Sequence, residues 1–112
     1  MENSILDTIK KLLGVDVGCT DFDTDIIVAI NTALSVLTQL GVKSFSISGK
    51  EETWNDYIGE YEDIEMIKSY VHAKAKMLFD PPMSSIVKET YVENLKELES
   101  RISILVDPGR VE

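Results

Sequence analysis

The chain has 112 residues, 44% of them hydrophobic, 7% aromatic and 28% charged, and its 20 acidic side chains against 11 basic ones give a formal net charge of −9. A chain of this length can bury roughly two thirds of its unfolded surface, and its ordinary hydrophobic fraction excludes wholesale disorder. Its single cysteine, Cys19, excludes an internal disulfide and points to a reducing, cytosolic setting. No apolar run approaches the roughly 20 residues of a membrane span.

In chain order the apolar spacing predicts an all-α domain over residues 1–112, a small bundle of about four helices with a long irregular loop between the second and third. The N-terminal stretch lacks the basic-then-apolar pattern of a targeting signal and reads as an amphipathic helix over about 3–13. There Ile5, Leu6, Ile9, Leu12 and Leu13 form one stripe and Gly14 ends it. The second helix, about 22–41, carries Phe22, Ile26, Ile30, Ala33, Leu34, Leu37 and Leu40 at steps of three and four, with aspartates in its first turn and Gly41 after it. It is apolar nearly all round, which predicts a central position.

The helical period stops in the loop over about 42–61. Phe45-Ser46-Ile47-Ser48 alternates apolar and polar like a short extended segment, and Thr53 is placed to cap one helical turn holding Trp54, Tyr57 and Ile58. A loop this long exceeds the usual four to six residues and points to function. The third helix, about 62–79, ends at Asp80-Pro81-Pro82, because proline lacks an N–H and disfavours helix in the residue before it. In the fourth, about 84–106, Ser84 or Ser85 caps a heptad-like seam of Val87, Tyr91, Leu95, Leu98, Ile102 and Leu105.

Divided along the chain, the charge is uneven. Residues 16–65 hold eleven acids and two bases, which is the whole net charge, and the two ends are balanced. Counterion-driven nucleic-acid binding and docking on an anionic membrane both need the opposite sign.

The candidate chemical sites do not hold together. Asp21-x-Asp23-x-Asp25 invites a calcium-loop reading, yet Ile26 stands where the tight turn needs glycine and Thr32 where a bidentate glutamate is needed. Capping and helix-dipole complementarity account for these aspartates better. His72, the single histidine, has no neighbouring cysteine, so neither a zinc site nor a Cys-His pair is expected. The six glycines never cluster before a helix with a lysine, as a phosphate loop requires. Lys68, Lys74 and Lys76 read as solvated charge, and Trp54, Met66, Met77 and Met83 as core. No catalytic residue, cofactor or metal is expected.

Certain residues carry a likeness in their order and spacing: Ser4 to Gly14, Phe22-Asp23-Thr24-Asp25-Ile26-Ile27, Thr38-Gln39-Leu40-Gly41-Val42, Thr53-Trp54-Asn55-Asp56-Tyr57-Ile58-Gly59, Tyr70-Val71-His72-Ala73-Lys74 and Leu78-Phe79-Asp80-Pro81-Pro82. Together they resemble the head-tail connector (adaptor, or head-completion) proteins of long-tailed bacteriophages and prophages of Gram-positive bacteria. The resemblance covers about residues 4–106, and its most specific parts are Trp54 and Asp56 in the tryptophan turn and Phe79, Asp80, Pro81 and Pro82 at the helix end.

The resemblance implies a structural virion protein without enzymatic activity, assembled in the bacterial host cytoplasm and placed at the head-tail interface. It implies a cyclic oligomer, dodecameric in the family, bound to the portal protein and serving a stopper or tail-completion protein, with DNA passing through the ring without specific binding. Carried onto this sequence, subunit or loop contacts fall on Phe45, Ile47, Lys50, Glu51 and Glu52. Portal contacts fall in 98–112, with Ile102, Leu105 and Arg110. The alternative reading is a free-standing cytosolic helical protein-binding module without enzymatic activity.

Overall fold

Helix α1, Ile5–Leu13, is bracketed by residues suited to its two ends. The Ser4 hydroxyl accepts the Asp7 N–H at 3.2 Å, and the Thr8 hydroxyl donates back to the Ser4 carbonyl at 2.7 Å. At the other end Gly14 takes φ 82°, the Val15 N–H reaches the Lys10 carbonyl at 2.8 Å, and the Gly14 N–H reaches that of Lys11 at 3.1 Å. This Schellman pair satisfies carbonyls that a helix end would otherwise leave bare. Helix α2, Asp23–Gln39, closes the same way, with Val42 N–H on the Leu37 carbonyl, Gly41 N–H on that of Thr38, and Gly41 at φ 112°.

The computed structural model describes residues 4–42, 44–58, 64–79, 81 and 83–106. Its remaining helices are α3, Trp54–Ile58; α4, Ile64–Phe79; and α5, Ser85–Val106. There is no strand among the described residues, only an isolated antiparallel bridge between Ser4 and Thr53. The all-α class read from the sequence therefore holds, with the expected tryptophan turn forming α3 and bringing the described helices to five.

Helices α2 and α4 make the main packed pair, α1 lies against both, and α5 packs on α4. Ile26, Ile30, Leu34 and Leu37 of α2 meet Ile67, Tyr70, Val71 and Ala75 of α4, all fully buried, and Ile5, Leu6 and Ile9 complete the centre. Alanines at 29, 33, 73 and 75 let the two backbones approach. As its all-round apolarity predicts, α2 is central.

Two expectations are corrected. The aspartates at the start of α2 do not cap it: Phe22 occupies the N-cap position without a side-chain hydrogen bond, while Asp23 and Asp25 sit in the first turn, where the helix dipole favours them. Met83 is fully exposed and not core, unlike the half-buried Met66 and Met77, because it lies in the connection between α4 and α5.

The seam of α5 is covered only in part. Leu95 and Ile102 are buried, Tyr91 and Leu98 half-buried, and Val87 exposed. Every described residue from Met83 to Thr90 is exposed, so the first turns of α5 stand clear of the core.

Candidate interaction surfaces

The middle loop is ordered by a few polar groups. Asn31, halfway along α2, exchanges two hydrogen bonds with the backbone of Ile47: the Ile47 N–H donates to Asn31 Oδ1 at 2.8 Å, and Asn31 Nδ2 donates to the Ile47 carbonyl at 2.9 Å. A side-chain amide thus plays the part of a neighbouring strand, and it lets Ile47 be buried without orphaned backbone groups. Ile47 packs in the core and Phe45 stacks on Tyr57 with ring centroids 5.1 Å apart. Ser44, Ser46 and Ser48 face solvent, the alternation read from the sequence.

Beyond Ile47 the chain turns around Glu52. Its carboxylate accepts the Ser48 N–H at 3.1 Å, the Ser48 hydroxyl at 3.0 Å and the Gly49 N–H at 3.3 Å. Burial on its own would raise the Glu52 pKa; these bonds, with one from its own backbone N–H, outweigh that and hold it below the usual value. The Glu52 carbonyl accepts the Ile5 N–H at 3.1 Å, one of the donors that α1 cannot satisfy internally.

Thr53 and Asp56 form a reciprocal cap at the start of α3: the Asp56 N–H donates to the Thr53 hydroxyl and the Thr53 N–H to the Asp56 carboxylate. The cap aims Trp54 and Tyr57 into the core, where both are buried. The Lys68 ammonium lies 5.5 Å from the Trp54 ring centroid and 3.8 Å from Glu65, so this lysine covers an aromatic face. At the far end of α4, Phe79 meets Phe22 edge to face at 5.7 Å.

Lys10 is the most deeply placed charge among the described residues. Its side chain is 1% exposed, and its ammonium donates to the carbonyls of Cys19 at 2.6 Å and Val17 at 3.0 Å while pairing with Asp23 at 2.7 Å. It ties the α1–α2 connection to the start of α2. On the α4–α5 side, the Tyr70 hydroxyl donates to Glu99 at 2.8 Å, and burial followed by the Glu99 carboxylate pushes the phenol well above its ordinary value. His72 is half-buried; burial lowers its pKa, a hydrogen bond to the Leu12 backbone opposes this, and Lys76 reinforces it.

Among the open grooves of the described surface, two lie along α4. One, of about 580 Å³ between α4 and α5, has Ser69, His72, Thr90, Glu93, Asn94 and Glu97 on its walls beside Ala73 and Tyr91. The other, of about 620 Å³ between α2 and the end of α4, sets the apolar side chains of Phe22, Val28, Leu78 and Phe79 around Asp25 and Thr32. Among the described residues no three His, Cys, Asp or Glu side chains stand close enough to hold a metal ion, and no helix is long and apolar enough to cross a membrane.

The loop residues read from the resemblance divide. Lys50 and Glu51 are exposed, whereas Ile47 is committed to this chain's own core, Phe45 to Tyr57, and Glu52 to the turn it closes. Of the portal set, Ile102 is fully buried against the core, while the Leu105 side chain and Arg110 lie outside the described residues. In the structural motif Trp54 is core, Asp56 is the cap, Phe79 lines the α2–α4 groove and Pro81 is exposed; Asp80 and Pro82 lie outside the described residues. Asn31 and Lys10 escaped sequence reasoning because their partners are 16 and between 7 and 13 positions away and follow no spacing rule.

These features describe a helical scaffold that presents surfaces, and the sequence comparisons agree in kind. The family model for the phage connector protein matches residues 5–109, so the chain belongs to that family of phage structural proteins. No curated protein and no solved structure matches it. Membership makes the chain a structural connector of the phage particle, associated with other head and tail proteins.

Proposed function

We propose that the chain is the head-tail connector of a long-tailed phage or prophage, forming a ring beneath the portal that links the DNA-filled head to the stopper and tail. The family match over residues 5–109 carries this reading. The distribution of charge supports it: the acidic excess of residues 16–65 suits a surface past which DNA slides, since a basic lining would grip phosphate. Lys50 and Glu51, at the exposed tip of the loop, serve as contacts to neighbouring subunits or face the DNA passage. The outer side of the last turns of α5, with exposed Arg101 and Ile104, leads into the portal-contacting segment.

The protein then works by binding and geometry. Removing its gene from an inducible phage tests the reading: the expected product is separate heads and finished tails, with no joined particles. Normal joined, infectious particles would overturn it. A free-standing binding module predicts that second result.

A further inference from the structure

Exposed apolar side chains stand both on the first turns of α5 and in the α2–α4 groove. On α5, successive residues turn by about 100°, so Val87, Lys88, Tyr91, Val92 and Leu95 share one side. Leu95 is buried under α4; Val87, Lys88 and Val92 continue that side into solvent. The groove is its counterpart: Val28 is 60% exposed, Leu78 50% and Phe22 46%, and Asp25 is the acidic group among them. Among the described residues neither Lys88 nor Asp25 has an ion-pair partner, although each is the charged residue set in an apolar surface.

From this complementarity we infer that the first turns of α5 of one copy dock in the α2–α4 groove of the next, with Lys88 paired to Asp25 across the junction. The inference rests on the ring proposed above and names the two faces that make it. The dimensions agree. The groove follows α2 from Asp25 to Thr32, about 10 Å of helix, and the overhanging side from Val87 to Val92 runs about 8 Å. The sign of the charges selects the register, and burial of Val87 and Val92 on Val28, Leu78 and Phe22 supplies the affinity. Because the two faces differ, each copy uses one on either side, which is the heterologous contact that generates rings. An exposed apolar face of this kind on a lone subunit is otherwise an aggregation liability.

The test uses the whole chain at concentrations where it assembles, alone or on its portal, followed by sedimentation and electron microscopy. Val28→Glu spoils the groove and Val87→Glu spoils the helix; both positions are exposed, and circular dichroism verifies that the variants remain folded. Each variant alone is expected to stay monomeric, and their equimolar mixture to stop at dimers, since one intact groove and one intact helix remain per pair. Asp25→Lys or Lys88→Asp weakens association by about tenfold or more, and the combined swap restores it. Wild-type assembly by all these variants overturns the contact and leaves the ring standing, with a different junction. A wild-type chain that forms no ring in either setting overturns the ring reading and the contact with it.

Discussion

Asn31 and Ile47 are joined by a two-way hydrogen bond, side chain to backbone, that fastens the middle loop to the centre of α2. The consequence is that an irregular segment of the chain has a defined path, with Ile47 seated in the core and the tip at Lys50 and Glu51 projecting. Replacing Asn31 by Ala leaves one buried donor and one acceptor unpaired, a loss of about 2 kcal/mol. Thermal unfolding should fall by several degrees, roughly 4 °C per kcal/mol for a chain of this size. Hydrogen exchange at the Ile47 amide should accelerate more than at amides of α4; uniform acceleration would show that Asn31 supports the whole core and not the loop.

Lys10 offers a stricter test of the interior. Its ammonium is paired with Asp23 and with two backbone carbonyls, so Lys10→Met keeps the packing volume and removes all three partners. The expected cost is about 3 kcal/mol, the order found when one member of a buried pair is deleted. Urea unfolding measures it. A variant as stable as the parent would mean that the 17–23 segment holds its path without the lysine.

The turn at Glu52 should respond to acid. Its carboxyl titrates below the ordinary value of 4.5, so the closed turn is stabilised at pH above the unfolded value and loses that support as pH falls through the folded value. Carboxyl-carbon NMR titration of Glu52, read beside the Ser48 and Gly49 amide shifts, should show the three moving together at low pH. In Glu52→Gln the acid step at those two amides should disappear.

Tyr70 and Glu99 join α4 to α5 near the covered part of the seam. The phenol is held neutral, so its contribution is present through neutral pH and is lost only as pH rises above the range where free tyrosines ionise. Ultraviolet titration should leave this tyrosine protonated after exposed ones have ionised. Tyr70→Phe removes the bond at a cost of about 1 kcal/mol and should loosen α5 before the rest of the chain.

The sequence made much of this architecture legible. Glycines 14 and 41, Thr53 as a cap, and the steps of three and four in α2 and α4 are local signals, and local signals decide helix ends and faces. The alternation at residues 45–48 likewise predicted which of them turn inward. What escaped is long-range: the Asn31 clasp, the Lys10 buried pair, and the Tyr70–Glu99 tie depend on elements that meet only after folding. The seam of α5 misled in a different way. Heptad spacing shows that a helix has an apolar side but not that its own chain covers it, and on α5 the side runs past the core at Val87. The same limit applies to Ile47 and Ile102, which spacing alone did not place in this chain's own core.

Electron microscopy of the purified protein mixed with its cognate portal tests the central claim most directly. The account predicts closed rings of this chain stacked coaxially on the portal, even where the protein alone remains monomeric. Portals that stay bare at saturating concentrations of the folded protein would contradict it.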